Sequence, residues 1–127
     1  MKGMQELIPK IHIGNENIYI HKSVIRVLGS PAYITLLQNE AQQTLVIIPC
    51  EASHTMAFKV PEGYSDTTKR TTFRIWSKEF VHGLRERYCM EDSETYTLSG
   101  IYVEKHNVVV FRFQQYRSHG FVVYNSI

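Results

Sequence analysis

A chain of 127 residues can bury one core but hardly two, and with 43% apolar and 20% charged residues its composition excludes a disordered or low-complexity protein. A formal net charge of +2 permits a nucleic-acid partner without pointing to one. The start, Met1-Lys2-Gly3-Met4-Gln5-Glu6, lacks the apolar stretch of a signal peptide, and no segment approaches the roughly 18 apolar residues of a membrane span. The expectation is a soluble cytoplasmic protein with no membrane partner.

Taken in chain order, Lys10-Ile11-His12-Ile13 before Gly14-Asn15 is suited to pair into a sheet, and Ile18-Tyr19-Ile20 is a short β-type run. His21 to Leu28 carries Val24, Ile25 and Leu28 at helical spacing, which predicts about two turns packed by one face. Gly29 stands where a helix C-cap belongs, and Pro31 prevents continuation. Ala32 to Leu37 and Thr44 to Ile48 are strand-like around the polar run Gln38 to Gln43, with Pro49 closing a hairpin. The segment 61–70 has loop chemistry throughout, and Met56 to Val60 offers a further strand before it.

The same grammar returns in the second half. Thr72 to Trp76 reads as a strand, Ser77 as an N-cap and Glu79 as a first-turn acid. The helix runs to about Tyr88 on a stripe of Phe80, Val81, Leu84 and Tyr88. Thr95 to Val103 and Val108 to Phe113 form strands around Glu104-Lys105-His106-Asn107, with a bulge expected at Gly100, and Phe121 to Tyr124 reads as a last strand. Laid over one another, Lys22 falls on Lys78, Val24 on Phe80, Ile25 on Val81 and Leu28 on Leu84. The predicted fold is therefore α+β: one β-rich domain over 1–127, made of two βαββ units at about 17–49 and 72–114 joined by the loop 50–71. The alternative is two unrelated βαββ segments.

The stretch Ile18 to Pro49 resembles the swapped-hairpin DNA-binding family of AbrB, SpoVT and MraZ type. That family shows a short strand, a helix of the form Ile-Pro-Lys-x-Ile-Arg-x-x-Leu-Gly and a hairpin often ending in Pro. Ile20, Lys22, Val24, Leu28 and Gly29 stand at the matching places here. The sequence departs from the pattern at Glu16-Asn17 for the family's Gly-Arg pair, at His21 for its Pro and at Ile25 for its helix Arg, with Arg26 one place late. Those departures include positions the family uses on DNA, so the resemblance carries fold more directly than function. It implies a swapped-hairpin barrel in which two units in one chain make an internal pseudo-dimer; a homo-oligomer stays open beside it.

Lys78, His82 and Arg85, spaced by four and three, are expected on one face of the second helix, with Lys22 and Arg26 at equivalent places on the first. Two such faces suit phosphates of double-stranded DNA, and Lys69, Arg70 and Arg74 extend the set. The competing reading is solvated charge beside Glu79 and Glu86. Asn17, Arg26, Asn39, Gln42 and Gln43 are of types that read bases, but polar strand ends need no such explanation. The aromatics Tyr64, Trp76, Tyr88, Tyr96, Tyr102, Tyr116, Phe121 and Tyr124 belong either to core packing or, where several are exposed together, to a protein-binding patch.

Catalysis has no constellation to carry it. His12, His21, His54, His82, His106 and His119 are scattered without metal-ligand spacing, and Glu91-Asp92 with Glu94 reads as a solvated turn. Cys50 near His54 has no flanking motif, and Cys50 and Cys89 are expected to be reduced thiols, a single bridge remaining the alternative. No metal or cofactor and no enzymatic activity is expected. The function expected is that of a small DNA-binding regulator-like protein; the alternative is a protein-interaction module or small inhibitor acting through exposed aromatics and strand edges.

Overall fold

Alternating isoleucines set the first two strands. Ile11, Ile13, Ile18 and Ile20 are all fully buried, which turns Lys10 and His12 of β1 (Lys10–Ile13) and Asn17, Tyr19 and His21 of β2 (Asn17–His21) to the opposite face. The two strands pair antiparallel with Ile13 opposite Ile18, through a tight turn in which the Gly14 N–H donates to the Asn17 carbonyl at 2.9 Å. The computed structural model describes residues 8–64, 71–91, 94–118 and 121–125, and for 114–118 and 121–125 the course of the strands only.

β2 runs into α1 (Lys22–Val27), then into a hairpin of β3 (Tyr33–Asn39) and β4 (Thr44–Pro49). A two-residue strand, β5 (Phe58–Lys59), pairs with β3. β6 (Thr72–Trp76) runs into α2 (Lys78–Arg87), and β7 (Tyr96–Val103) and β8 (Val108–Arg112) form the second hairpin. All eight strands join one almost closed antiparallel sheet in the order β5-β3-β4-β8-β7-β1-β2-β6, so β5 and β6 are its edges. β9 (Gln114–Ser118) and β10 (Phe121–Asn125) pair with each other as a separate hairpin.

β7 turns the sheet's corner. Its first half, Tyr96 to Ser99, pairs with β1, and its second half, Gly100 to Val103, pairs with β8. Gly100, where a bulge was expected, is the residue at which β7 changes partner, and its N–H donates to the Pro9 carbonyl at 2.7 Å. A Cβ on Gly100 would lie 2.7 Å from the Phe111 ring and 2.9 Å from Val109, closer than side-chain atoms approach, so packing against these two side chains requires the glycine. Inside the corner, Ile34, Leu45, Ile47, Leu98, Val109 and Phe111 are fully buried with the four isoleucines, Val81 and Leu84.

Both helices start where a strand ends. His21, expected as the first helical residue, is the last of β2 and the N-cap of α1: its imidazole Nδ1 accepts the Ser23 N–H at 3.0 Å. The C-termini close alike. The Leu28, Gly29 and Ser30 N–H groups donate to the Val24, Arg26 and Ile25 carbonyls, and those of Tyr88, Cys89 and Met90 donate to the Leu84, Glu86 and Arg85 carbonyls. Gly29 and Cys89 each take the left-handed conformation this closure needs. The hairpin turns also match, with left-handed Gln43 and Asn107 donating back to Glu40 and Glu104. The helices differ in length, six residues against ten.

Candidate nucleic-acid interface

β2 and β6 pair over five residues, Asn17 opposite Trp76 and His21 opposite Thr72. Because they are antiparallel, α1 leaves one end of this ribbon and α2 the other, roughly 13 Å apart at the usual rise per residue. Lys22 begins α1 beside the start of β6, its N–H on the Thr71 carbonyl at 2.9 Å; Ser77 holds the N-cap position of α2 without a side-chain capping bond, beside the start of β2, its N–H on the Glu16 carbonyl at 3.1 Å.

Arg85 apart, the expected cationic residues divide into three groups. Arg26 on α1, Arg74 on β6, and Lys78 and His82 on α2 are exposed. Lys22 is only 6% exposed. Lys69 and Arg70 lie outside the described residues.

Arg85, expected on the outer face of α2 beside Lys78 and His82, is instead buried at 6% exposure. Its Nη1 donates to the Gly14 carbonyl at 2.8 Å and the Ile13 carbonyl at 3.5 Å; its Nη2 donates to the Glu94 carbonyl at 2.9 Å and to that of Glu91. The guanidinium carbon stands 5.6 Å from the centre of the Tyr96 ring. This side chain ties the turn after α2 to the β1–β2 turn, and its donors are turned away from any phosphate outside. On α2 the outward surface is also mixed in sign, Glu79 and Glu86 being exposed beside Lys78 and His82. Arg87 pairs with Glu40 of the first hairpin at 2.5 Å.

A second group went unrecognised in the sequence. On the outward side of the four strands β7-β1-β2-β6, Thr97, His12, Tyr19 and Arg74 stand in one cross-strand row. One step along, Ser99 is opposite Lys10 and His21 opposite Thr72, and one step the other way Asn17 is opposite Trp76. The His12 ring bonds the Thr97 hydroxyl through Nδ1 at 2.8 Å, and the Tyr19 ring lies over Gly14. Trp76 is 65% exposed. Burial first, then Lys10, His12, Lys22 and Arg26, hold the His21 imidazole below its ordinary pKa of 6.5, and burial and Lys10 do the same to His12. The signal was present locally as strict alternation in β1, β2 and β6; what the sequence did not disclose was the register that aligns the four strands.

No family model, curated protein or solved structure matches this chain.

Among the described residues no group of three or more His, Cys, Asp or Glu is placed to hold a metal ion, and no helix is long and apolar enough to cross a membrane. Cys50 and Cys89 form no disulfide, the first being half-buried and the second exposed. Of the aromatics, Tyr64 and Tyr88 are core residues: Tyr64 donates to the Ile20 carbonyl and meets Phe73 edge-on, and Tyr88 stacks on Phe113 at 4.1 Å. Tyr96 and Tyr102 are half-buried, while the side chains of Tyr116, Phe121 and Tyr124 lie outside the described residues.

Proposed function

We propose that this protein is a DNA-binding, regulator-like protein that contacts duplex phosphates through Arg26 on one helix and Lys78 and His82 on the other, with Arg74 between them. The observation that carries the reading is the placement of α1 and α2 at opposite ends of the antiparallel β2–β6 ribbon, each with exposed basic side chains. Phosphate contacts of this kind supply most of the sequence-independent affinity for DNA.

We further propose that segments 17–49 and 72–114 are two copies of one βαββ unit. Support comes from their common element order, the matched helix closures and hairpin turns, and the pairing of β2 with β6 and β4 with β8 across the two copies. A paired arrangement of that sort is what a swapped-hairpin barrel of the AbrB type would require. Lys22 and Arg85 are left out of the contact set, the first because it is buried and the second because its donors are satisfied within the protein.

Fluorescence anisotropy of a labelled duplex, read at low and at moderate salt, tests the function. Binding that weakens steeply with salt is the expected result; absence of binding at low salt defeats the proposal. A second reading, a protein-interaction module acting through exposed aromatics and strand edges, draws on the exposed Trp76 at the end of edge strand β6.

A further inference from the structure

We propose that the outward face of β7-β1-β2-β6 binds single-stranded nucleic acid, with Trp76 and Tyr19 stacking on bases and Lys10 and Arg74 holding the backbone. The proposal stands apart from duplex binding by the helices, since it rests on a different surface and on residues that reading does not use, Arg74 excepted.

Three observations point to this occupant. First, the face combines both kinds of group that a single strand needs. Trp76 and Tyr19 lie on adjacent strands in the diagonal relation to each other, because Tyr19 is opposite Arg74 and Trp76 is two residues further on. Diagonal neighbours of an antiparallel pair are about 7–8 Å apart. Bases stacked in a duplex are about 3.4 Å apart along each strand, so two rings at this spacing can each take a base only from a strand that is drawn out and unpaired. Aromatic platforms flanked by positive charge are the usual means of holding such a strand without regard to sequence.

Second, the charge of the face is of one sign. Its cross-strand rows hold Lys10, His12, His21 and Arg74 among Tyr19, Asn17, Trp76, Thr72, Thr97 and Ser99, with no carboxylate. The acids nearest in the chain are Glu16 in the β1–β2 turn, Glu79 in the first turn of α2 and Glu94 just before β7. α2, by contrast, interleaves its cations with Glu79 and Glu86. The Thr72 and Ser99 hydroxyls add neutral groups able to bond phosphate or sugar.

Third, the exposure of Trp76 is not explained by the fold. It lies at the end of β6 with its neighbours Phe73 and Ile75 turned into the core. A large ring left 65% exposed contributes little to burial, whereas a flat ring on a positive face is suited to stacking.

Trp76 is the sole tryptophan of the chain, so its fluorescence reports on this face directly. The test titrates the protein with an oligothymidylate of about 10 nucleotides, within the usual footprint of such surfaces, with an abasic deoxyribose-phosphate strand of equal length, and with a duplex of equal length. Expected are quenching of Trp76 by oligothymidylate, weaker binding of the abasic strand, and little quenching by the duplex. Trp76→Ala, read by anisotropy, should weaken oligothymidylate binding roughly 5- to 150-fold, the range expected for one stacked base, and Trp76→Phe should restore most of it. Equal affinity for the thymidylate and abasic strands, or full binding by Trp76→Ala, would overturn the proposal and leave the face to a protein partner. Duplex binding without quenching by oligothymidylate overturns this inference alone; quenching without duplex binding overturns the reading of the helices alone.

Discussion

Replacing Arg85 with alanine separates a structural arginine from a phosphate-binding one. The guanidinium donates to the Gly14 carbonyl at 2.8 Å and the Glu94 carbonyl at 2.9 Å, besides its contacts with Ile13, Glu91 and Tyr96. Hydrogen bonds involving a charged group contribute about 1.5–3 kcal/mol each. Water entering the vacated space would recover part of two such bonds, so Arg85→Ala should cost about 3–5 kcal/mol. That is a fifth or more of the roughly 5–15 kcal/mol by which a domain of this kind is stable. Arg85→Lys should recover little, because one ammonium cannot span the Gly14 and Glu94 carbonyls as a planar fork does. Urea unfolding followed by circular dichroism measures the loss. The partners are carbonyls and not carboxylates, so the loss should be nearly the same at low and high salt. A variant of wild-type stability with weakened DNA binding would refute the reasoning and return Arg85 to the outer surface.

Other consequences follow from the same geometry. Gly100→Ala should destabilise by about 1–3 kcal/mol, because its Cβ would meet fully buried Phe111 and Val109 at the sheet corner; a change below about 0.5 kcal/mol in urea, the size of an ordinary surface substitution, would contradict the described packing. Leu28→Ala and Leu84→Ala should each cost about 2–5 kcal/mol, both side chains being buried, and near-zero loss at both would remove the shared core. Acid should weaken the fold through His21 and His12. Their folded-state pKa values are lowered, so the unfolded chain takes up protons first and stability falls as pH drops through the ordinary value of 6.5. At His21 the proton also goes to the nitrogen that caps α1. His21→Asp, which keeps a capping acceptor, should therefore lose less stability between neutral and mildly acid pH than the parent, leaving the share due to His12; equal acid sensitivity would rule out the cap as its source.

Much of the fold was legible because local patterning decided it. The β-branched and aromatic runs located the strands of both hairpins, and the stripe Val81, Leu84, Tyr88 placed α2 to within a residue or two at each end. β1, marked only by Lys10-Ile11-His12-Ile13, is a central strand of the sheet, flanked by β2 and β7. β5 is shorter than Met56 to Val60 suggested, and β9 was missed because the sequence Gln114-Gln115-Tyr116-Arg117-Ser118 carries no alternation of apolar and polar residues.

The candidate site was less legible. Spacing by four and three put Arg85 with Lys78 and His82, yet at about 100° per residue it also lies only about 40° from Val81. A long side chain on that border can turn either way, and the carbonyls of Ile13 and Gly14, some seventy residues earlier, decide the direction. The outward row of His12, Tyr19 and Arg74 depends likewise on the pairing of β2 with β6, strands far apart in the chain. Long-range register of this kind is not written in any local segment.

The salt dependence of duplex affinity tests the central claim most directly. If Arg26 and Lys78 each neutralise one phosphate, the double variant Arg26→Ala, Lys78→Ala should lower the slope of log affinity against log salt by about 1.8, twice the value of about 0.9 per contact. A duplex affinity whose slope is the same in the parent and the double variant would contradict it.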